Sequence, residues 1–215
     1  MAGPRDEDWL GWAQRLRAIA QTGLAYSRDD YDLDRFREVR DLAERMLASV
    51  TGEALPRVRG LYLPEQGYPT PKVDVRAGVF TAGAGGGLEV LLVREAADGR
   101  WSLPGGWADE HDSPRRSIER EVAEESGFEV RVNRLVAIKD RSLHPYEPGR
   151  LERIYKLFFL CDLVGGAAAP SLETTDAGFF PLDDLPPLSL GRTLADDVRL
   201  LAGHRADPGR PVYLD

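Results

Sequence analysis

The chain has 215 residues, 42% hydrophobic and 30% charged, with 28 basic residues against 36 acidic ones and a formal net charge of −8. That balance supports a self-sufficient core and excludes a disulfide-stapled miniprotein or a disordered chain. A negative net charge also argues against non-specific nucleic-acid binding, which needs a basic surface. The single cysteine, Cys161, excludes an intramolecular disulfide and a cysteine-rich zinc site. It lies in the apolar run 154–161, where packing is its expected role. The first residues show no basic flank followed by an apolar stretch, and no run approaches the ~18 apolar residues of a membrane span. A cytoplasmic protein without a membrane partner is expected.

Along the chain, residues 6–50 read as two helices. Trp9, Trp12, Leu16, Ile19 and Gly23 step by three and four, as do Phe36, Val39, Ala43, Met46 and Val50. Residues 27–30 form the loop between them and offer caps for the second helix. These stripes predict a helical hairpin with apolar residues left over to dock elsewhere. Residues 51–72 carry Gly52, Pro56, Gly60, Pro64, Gly67, Pro69 and Pro71, a density of breakers that predicts an extended linker. The expected domains are therefore a hairpin with linker over 1–66 and a second domain over 67–215.

From Val73 the pattern becomes strands and turns. Residues 73–80 and 88–93 read as strands around the glycine-rich turn 83–87, which lacks the Gly-Lys-Ser/Thr of a phosphate loop and is expected to be a mobile hairpin. A helix is expected over 113–126, strands near 129–140 and 153–164, a short strand over 178–181, and a last helix over 196–203. A helix set among short mixed strands predicts an α+β fold, an α/β/α sandwich.

The stretch that carries chemistry runs from Leu103 to Phe128. Ser113-Pro114 is a good helix opening and Gly127 a good stop. Ile118 and Val122 supply an apolar stripe, while Glu121, Glu124 and Glu125 crowd one side of the same helix. Like charges at this spacing repel. On its own the cluster reads equally as a solvated acidic face or as a site for a hard cation, Mg²⁺ or Mn²⁺. Pro104-Gly105-Gly106 enters the helix and lets backbone carbonyls approach such an ion closely.

The pattern Gly106-x5-Asp112-x7-Arg120-Glu121-Val122-x-Glu124-Glu125-x-Gly127-Phe128 resembles the Nudix box, G-x5-E-x7-R-E-U-x-E-E-x-G-U with U apolar. Only Asp112 departs from it, with a carboxylate on a shorter stem. The resemblance implies a Nudix fold over about 73–205, a mixed sheet sandwiched by helices and preceded here by the helical hairpin. It also implies hydrolysis of a nucleoside diphosphate linked to another moiety, X. Carried over by position, it implies metal ligation by Glu121 and Glu125 with the Gly105 carbonyl, a further ion on Glu124, and a structural pairing of Arg120 with a box carboxylate. The general base would come from a box glutamate or from a loop acid before a late strand, Glu173 ahead of Asp176.

The hairpin, residues 67–76, 101–109 and 155–161 are also similar to the CDP-choline pyrophosphatase branch of that family. This likeness implies a homodimer through the N-terminal helices and CDP-choline-like substrates ahead of ADP-ribose. For phosphate and base contacts the candidates are Arg76, Arg94, Arg141, His144, Tyr146 and Lys156, arginine for bidentate phosphate binding and aromatic faces for stacking. Taken singly, each reads more readily as a surface charge or a packed aromatic. Two other classes compete: a non-catalytic Nudix module that senses a nucleotide, and an interaction protein built around the hairpin. Sensor modules usually lose box glutamates, and here all three remain. RNA ends stay compatible as substrates.

Overall fold

In the computed structural model, which describes residues 6–62, 67–83 and 85–215, the two expected N-terminal helices form as α1 (Asp6–Tyr26) and α2 (Asp30–Thr51). Residues 63–66 of the expected linker and Ala84 of the expected turn lie outside the described residues. Asp29 caps α2 by accepting from the Asp32 N–H at 3.0 Å, and Gly52 ends it in a left-handed conformation. Gly23 faces the Phe36 ring so closely that a Cβ there would come within 2.4 Å of it. The face of α1 that is buried differs from the expected one. Ala13 and Ala20 are fully buried, whereas Trp9, Trp12, Leu16 and Ile19 remain 39–52% exposed. Small side chains let two helices approach closely, so the large ones are displaced to the flank.

A second difference falls in the expected linker. Residues Leu55–Tyr62 form a short helix, α3, despite Pro56 and Gly60. Pro56 sits in the first turn, where its missing N–H costs nothing, and Val58 is fully buried. Arg59 docks α3 through ion pairs to Asp41 and to Glu44. Tertiary contact here overrides the breaker signal.

The chain divides between Thr70 and Pro71 into two compact units. The second is a seven-stranded mixed sheet of β1 (Lys72–Ala82), β2 (Leu88–Glu95), β3 (Trp101–Ser102), β4 (Phe128–Asp140), β5 (Ile154–Gly166), β6 (Thr174–Pro181) and β7 (Tyr213–Leu214). The order is β3-β2-β1-β5-β4-β7, with β6 also on β2. β1 runs parallel to β5 and β4 to β7, and the remaining pairs are antiparallel. The two-residue strands β3 and β7 carry no periodicity of their own and exist by pairing with their neighbours. β1 alternates between two cores. Val75, Ala77 and Val79 join Ile118 and Val122 of helix α4 (Pro114–Ser126), while Phe80 joins Val198 and Leu201 of helix α5 (Ala195–Ala206). The fold is the expected α/β/α sandwich. Burying Ile118 and Val122 contributes roughly 1.5–3 kcal/mol each and fixes which side of α4 is left for the glutamates.

Candidate active site

Helix α4 begins where the sequence places it. Ser113 caps it by accepting from the Arg116 N–H at 3.3 Å, and Gly127 closes it with φ +74°. Arg115 and Glu119 clamp α4 to β4, bonding the carbonyl and N–H of Val132 at 2.9 Å each. The loop before the helix crosses β1: the Pro104 and Gly106 carbonyls accept from the Ala77 and Val75 N–H groups. Gly105 between them has φ +139°, and a Cβ there would lie 2.0 Å from the Val75 carbonyl oxygen, so only glycine fits. Among the described residues the Gly105 carbonyl receives no hydrogen bond, while its N–H donates to Glu125 Oε2 at 2.7 Å.

The three box glutamates line one cavity of about 700 Å³, together with Gly105, Arg120 and Glu173. Glu125 is 6% exposed, and burial pushes its carboxyl up to about 7 against the opposing pull of Arg76 and the Gly105 N–H. Burial also raises Glu121, opposed by Arg120. Arg120 sits inside a fan of acids: Asp112 at 3.2 Å, Glu124 at 2.8 Å, Asp109 at 3.1 Å and Glu121 at 3.0 Å. One guanidinium thus serves four carboxylates. It draws Glu121 and Glu124 toward itself, and among the described residues no three acids or histidines already converge on one ligating point. The donor set nevertheless fits a hard divalent cation: all-oxygen, anionic, and including a buried carboxylate destabilised as an anion.

Of the two loop acids, Glu173 lines the cavity and Asp176 does not. Asp176 lies opposite Arg94 in the β2–β6 register, with its carboxylate on the Ala177 N–H at 2.9 Å. The Glu173 loop is tied to α4 by the Thr174 hydroxyl, which donates to the Glu125 carbonyl.

The six predicted substrate contacts separate. Arg76 and Arg141 line the cavity. Arg76 is 3% exposed, bidentate on Asp74 at 2.8 and 2.9 Å, and its third donor meets the Leu103 carbonyl at 3.1 Å. Lys156 is buried behind it, 2.9 Å from Asp74. Burial lowers Lys156 to about 8, partly restored by Asp74 and lowered further by Arg76. Tyr146 is buried with its hydroxyl on Asp197 at 2.8 Å, His144 faces Asp215 at 3.0 Å, and exposed Arg94 donates to the Gly99 carbonyl at 3.0 Å. None of these four lines the cavity. The sequence reading missed Asp74, Arg150 and Arg192, which do. Asp74 had one available signal, an acid at an alternating position of a strand buried on both faces.

Residues 7–62 match the model of a UDP-X-like N-terminal oligomerisation domain, and residues 72–201 match that of the NUDIX domain. The chain is 39% identical over 207 residues to a Bacillus subtilis (strain 168) protein provisionally named ADP-ribose pyrophosphatase YjhB, covering 96% of this chain and 97% of that one. It is similar to the structure of an ADP-ribose pyrophosphatase from Streptococcus suis 89-1591, 41% identical, TM-score 0.60, over 68% of this chain and all of the other. It is also similar to the structure of a UDP-X diphosphatase, 31% identical, TM-score 0.61, over 99% of this chain and all of the other.

Proposed function

The chain belongs to the Nudix family as a hydrolase, and we propose that it is a Mg²⁺-dependent pyrophosphohydrolase of nucleoside diphosphates linked to a second moiety. The observation that carries the proposal is the single cavity in which Glu121, Glu124, Glu125 and Glu173 stand together with arginines. The relatives' names support ADP-ribose and UDP-linked compounds as substrates ahead of CDP-choline, reversing the order that the sequence likeness implied.

Glu121, Glu124, Glu125 and the Gly105 carbonyl would hold Mg²⁺, with Mn²⁺ as a substitute. When bound, such ions neutralise phosphate oxygens and lower the pKa of a ligated water. The chain's own residues do the rest. Gly105 fixes Glu125 through its N–H, and Arg76 offsets the Glu125 charge across the cavity wall. Arg120 keeps the four acids from repelling one another apart. Glu173, exposed on the cavity rim, takes the proton of the attacking water.

The test is product analysis on ADP-ribose, a UDP-sugar and CDP-choline with Mg²⁺, Mn²⁺ or a chelator. The expected products are a nucleoside monophosphate and a phosphorylated X, formed only with metal. Metal-independent turnover, or none on any of the three, overturns the reading. The exposed Trp9, Trp12, Leu16 and Ile19 on α1 support a homodimer through the N-terminal helices. Sedimentation of the full chain is expected to give the dimer mass, and a monomer mass would refute that assignment. Among the described residues no helix is long and apolar enough to cross a membrane.

A further inference from the structure

The acids of the cavity have a counterpart that the Nudix box does not explain. Arg141, Arg150 and Arg192 line the same cavity as the box glutamates and also an adjoining groove of about 730 Å³, which Arg100 enters as well. Arg141 is the unusual member. It is only 6% exposed, yet its side chain meets two backbone carbonyls, Pro148 at 2.7 Å and Gly191 at 3.4 Å, and the Tyr146 ring at 5.4 Å. Among the described residues it has no carboxylate ion pair.

The fields of Asp74 and Glu152 reach Arg141 without an ion pair, and Asp74 is already committed through both oxygens to Arg76 and Lys156. A guanidinium drawn out of bulk water is costly where no paired anion repays its lost hydration. Burial, and then the nearby charge of Arg150, lowers the Arg141 pKa, the direction expected of a cation short of negative charge. Arg150 is exposed and has no ion pair among the described residues, and Arg192 is half-satisfied by Glu95 at 2.8 Å. Of the acids lining the groove, Asp98 is engaged by the Ser189 hydroxyl at 2.7 Å and the Arg100 N–H at 3.0 Å, which leaves Glu147 as the other negative group there. In a chain of net charge −8, three arginines shared by the glutamate cavity and the adjoining groove are a local excess of positive charge beside the acids.

We propose that Arg141, Arg150 and Arg192 form a second anion subsite, and that the substrate class is a nucleoside diphosphate whose X moiety itself carries a carboxylate or a phosphate. The inference rests on the proposed function and deepens it. The diphosphate would lie at the glutamates, and the additional anion of X would reach Arg141, Arg150 and Arg192, whose planar guanidinium groups bind either oxyanion in bidentate fashion. Arg141 then gains the counter-ion that the protein does not supply.

Matched substrate pairs test this with the Mg²⁺-loaded protein. UDP-glucuronate against UDP-glucose reads the carboxylate, and ADP-ribose 1″-phosphate against ADP-ribose reads the phosphate. The anionic member of at least one pair is expected to be favoured by roughly tenfold to a hundredfold in kcat/KM, the scale of one or two charge-assisted hydrogen bonds. Arg150→Ala should cut that ratio and Arg150→Glu should abolish it; Arg150 is exposed, so a thermal melt is expected to show both variants folded. Equal kcat/KM within both pairs, or a preference that both variants retain, overturns the subsite while leaving the proposed function standing. No hydrolysis of any of the four compounds, nor of CDP-choline, overturns both.

Discussion

Two clusters of ionised side chains contribute to the lining of one cavity in this protein, and they are balanced differently. In one, reaching from the cavity lining inward, Asp74 and Asp197 are shared among Arg76, Lys156, Lys139 and the Tyr146 hydroxyl, at 2.7–2.9 Å. Each acid there is satisfied by the protein itself. Burial would raise the Asp74 carboxyl, but Arg76 and Lys156 outweigh it and hold it at about 2. On α4 the count is reversed, with Arg120 serving four acids and Glu125 pushed up to about 7 by burial. The same chemistry, a carboxylate out of water, is thus held down in one place and pushed up in the other. A network that closes on itself positions things; one left with surplus charge calls for a ligand from outside.

The contrast can be tested by removing one acid from each side. Glu125→Gln is expected to lower kcat by about 10²- to 10³-fold in Mg²⁺, the scale of losing one preorganised electrostatic group, and to abolish most of the rise in thermal midpoint that Mg²⁺ is expected to give the wild type. Melting of the metal-free variant should match or exceed the wild type, since a destabilised buried charge is gone. If Glu125→Gln instead unfolds the metal-free protein, α4 belongs with the self-satisfied network and the contrast fails.

Asp74→Ala should do the opposite. It strands Arg76 and Lys156 as buried cations and is expected to cost about 3–5 kcal/mol in urea denaturation, with the Mg²⁺-induced stabilisation preserved in whatever fraction folds. The smallest effect is in the acid limb. Because Asp74 sits at about 2 when folded against an ordinary value of 3.8, its contribution is complete above about pH 4 and is lost as pH falls through about 2. That amounts to roughly 2 kcal/mol. Asp74→Asn should lack this segment of the stability-versus-pH curve; an unchanged slope would show that the network does not depend on the Asp74 charge.

How much of this was legible in the residue order varies with the range of the interactions involved. Helix α4 was legible to its caps, because Ser113, Pro114 and Gly127 act within one turn. The α1 face was misread, since Ala13 and Ala20 are too small to announce themselves in a hydropathy pattern while the tryptophans beside them do. Helix α3 was missed because Val58 and Arg59 find their partners only once α2 is in place, and Pro56 happens to fall where a helix tolerates it. Of the residues that line the cavity, the sequence pointed to Glu121, Glu124, Glu125 and Glu173, whereas Arg150 and Arg192 sit in irregular loops that carry no periodicity.

By itself the order of residues determined what is local: the helix that carries three glutamates, the glycine pair that lets the backbone pass close to β1, and the spacing that marks the family. Tertiary structure alone decided which charges are already answered. Arg76 and Arg141 are the same residue type and both line the cavity, yet one closes on Asp74 and the other is left with carbonyls and a ring. That outcome depends on where strands β1 and β5 and the 189–194 turn come together. The energy of a buried charge is set by neighbours distant in the chain, which no local pattern encodes.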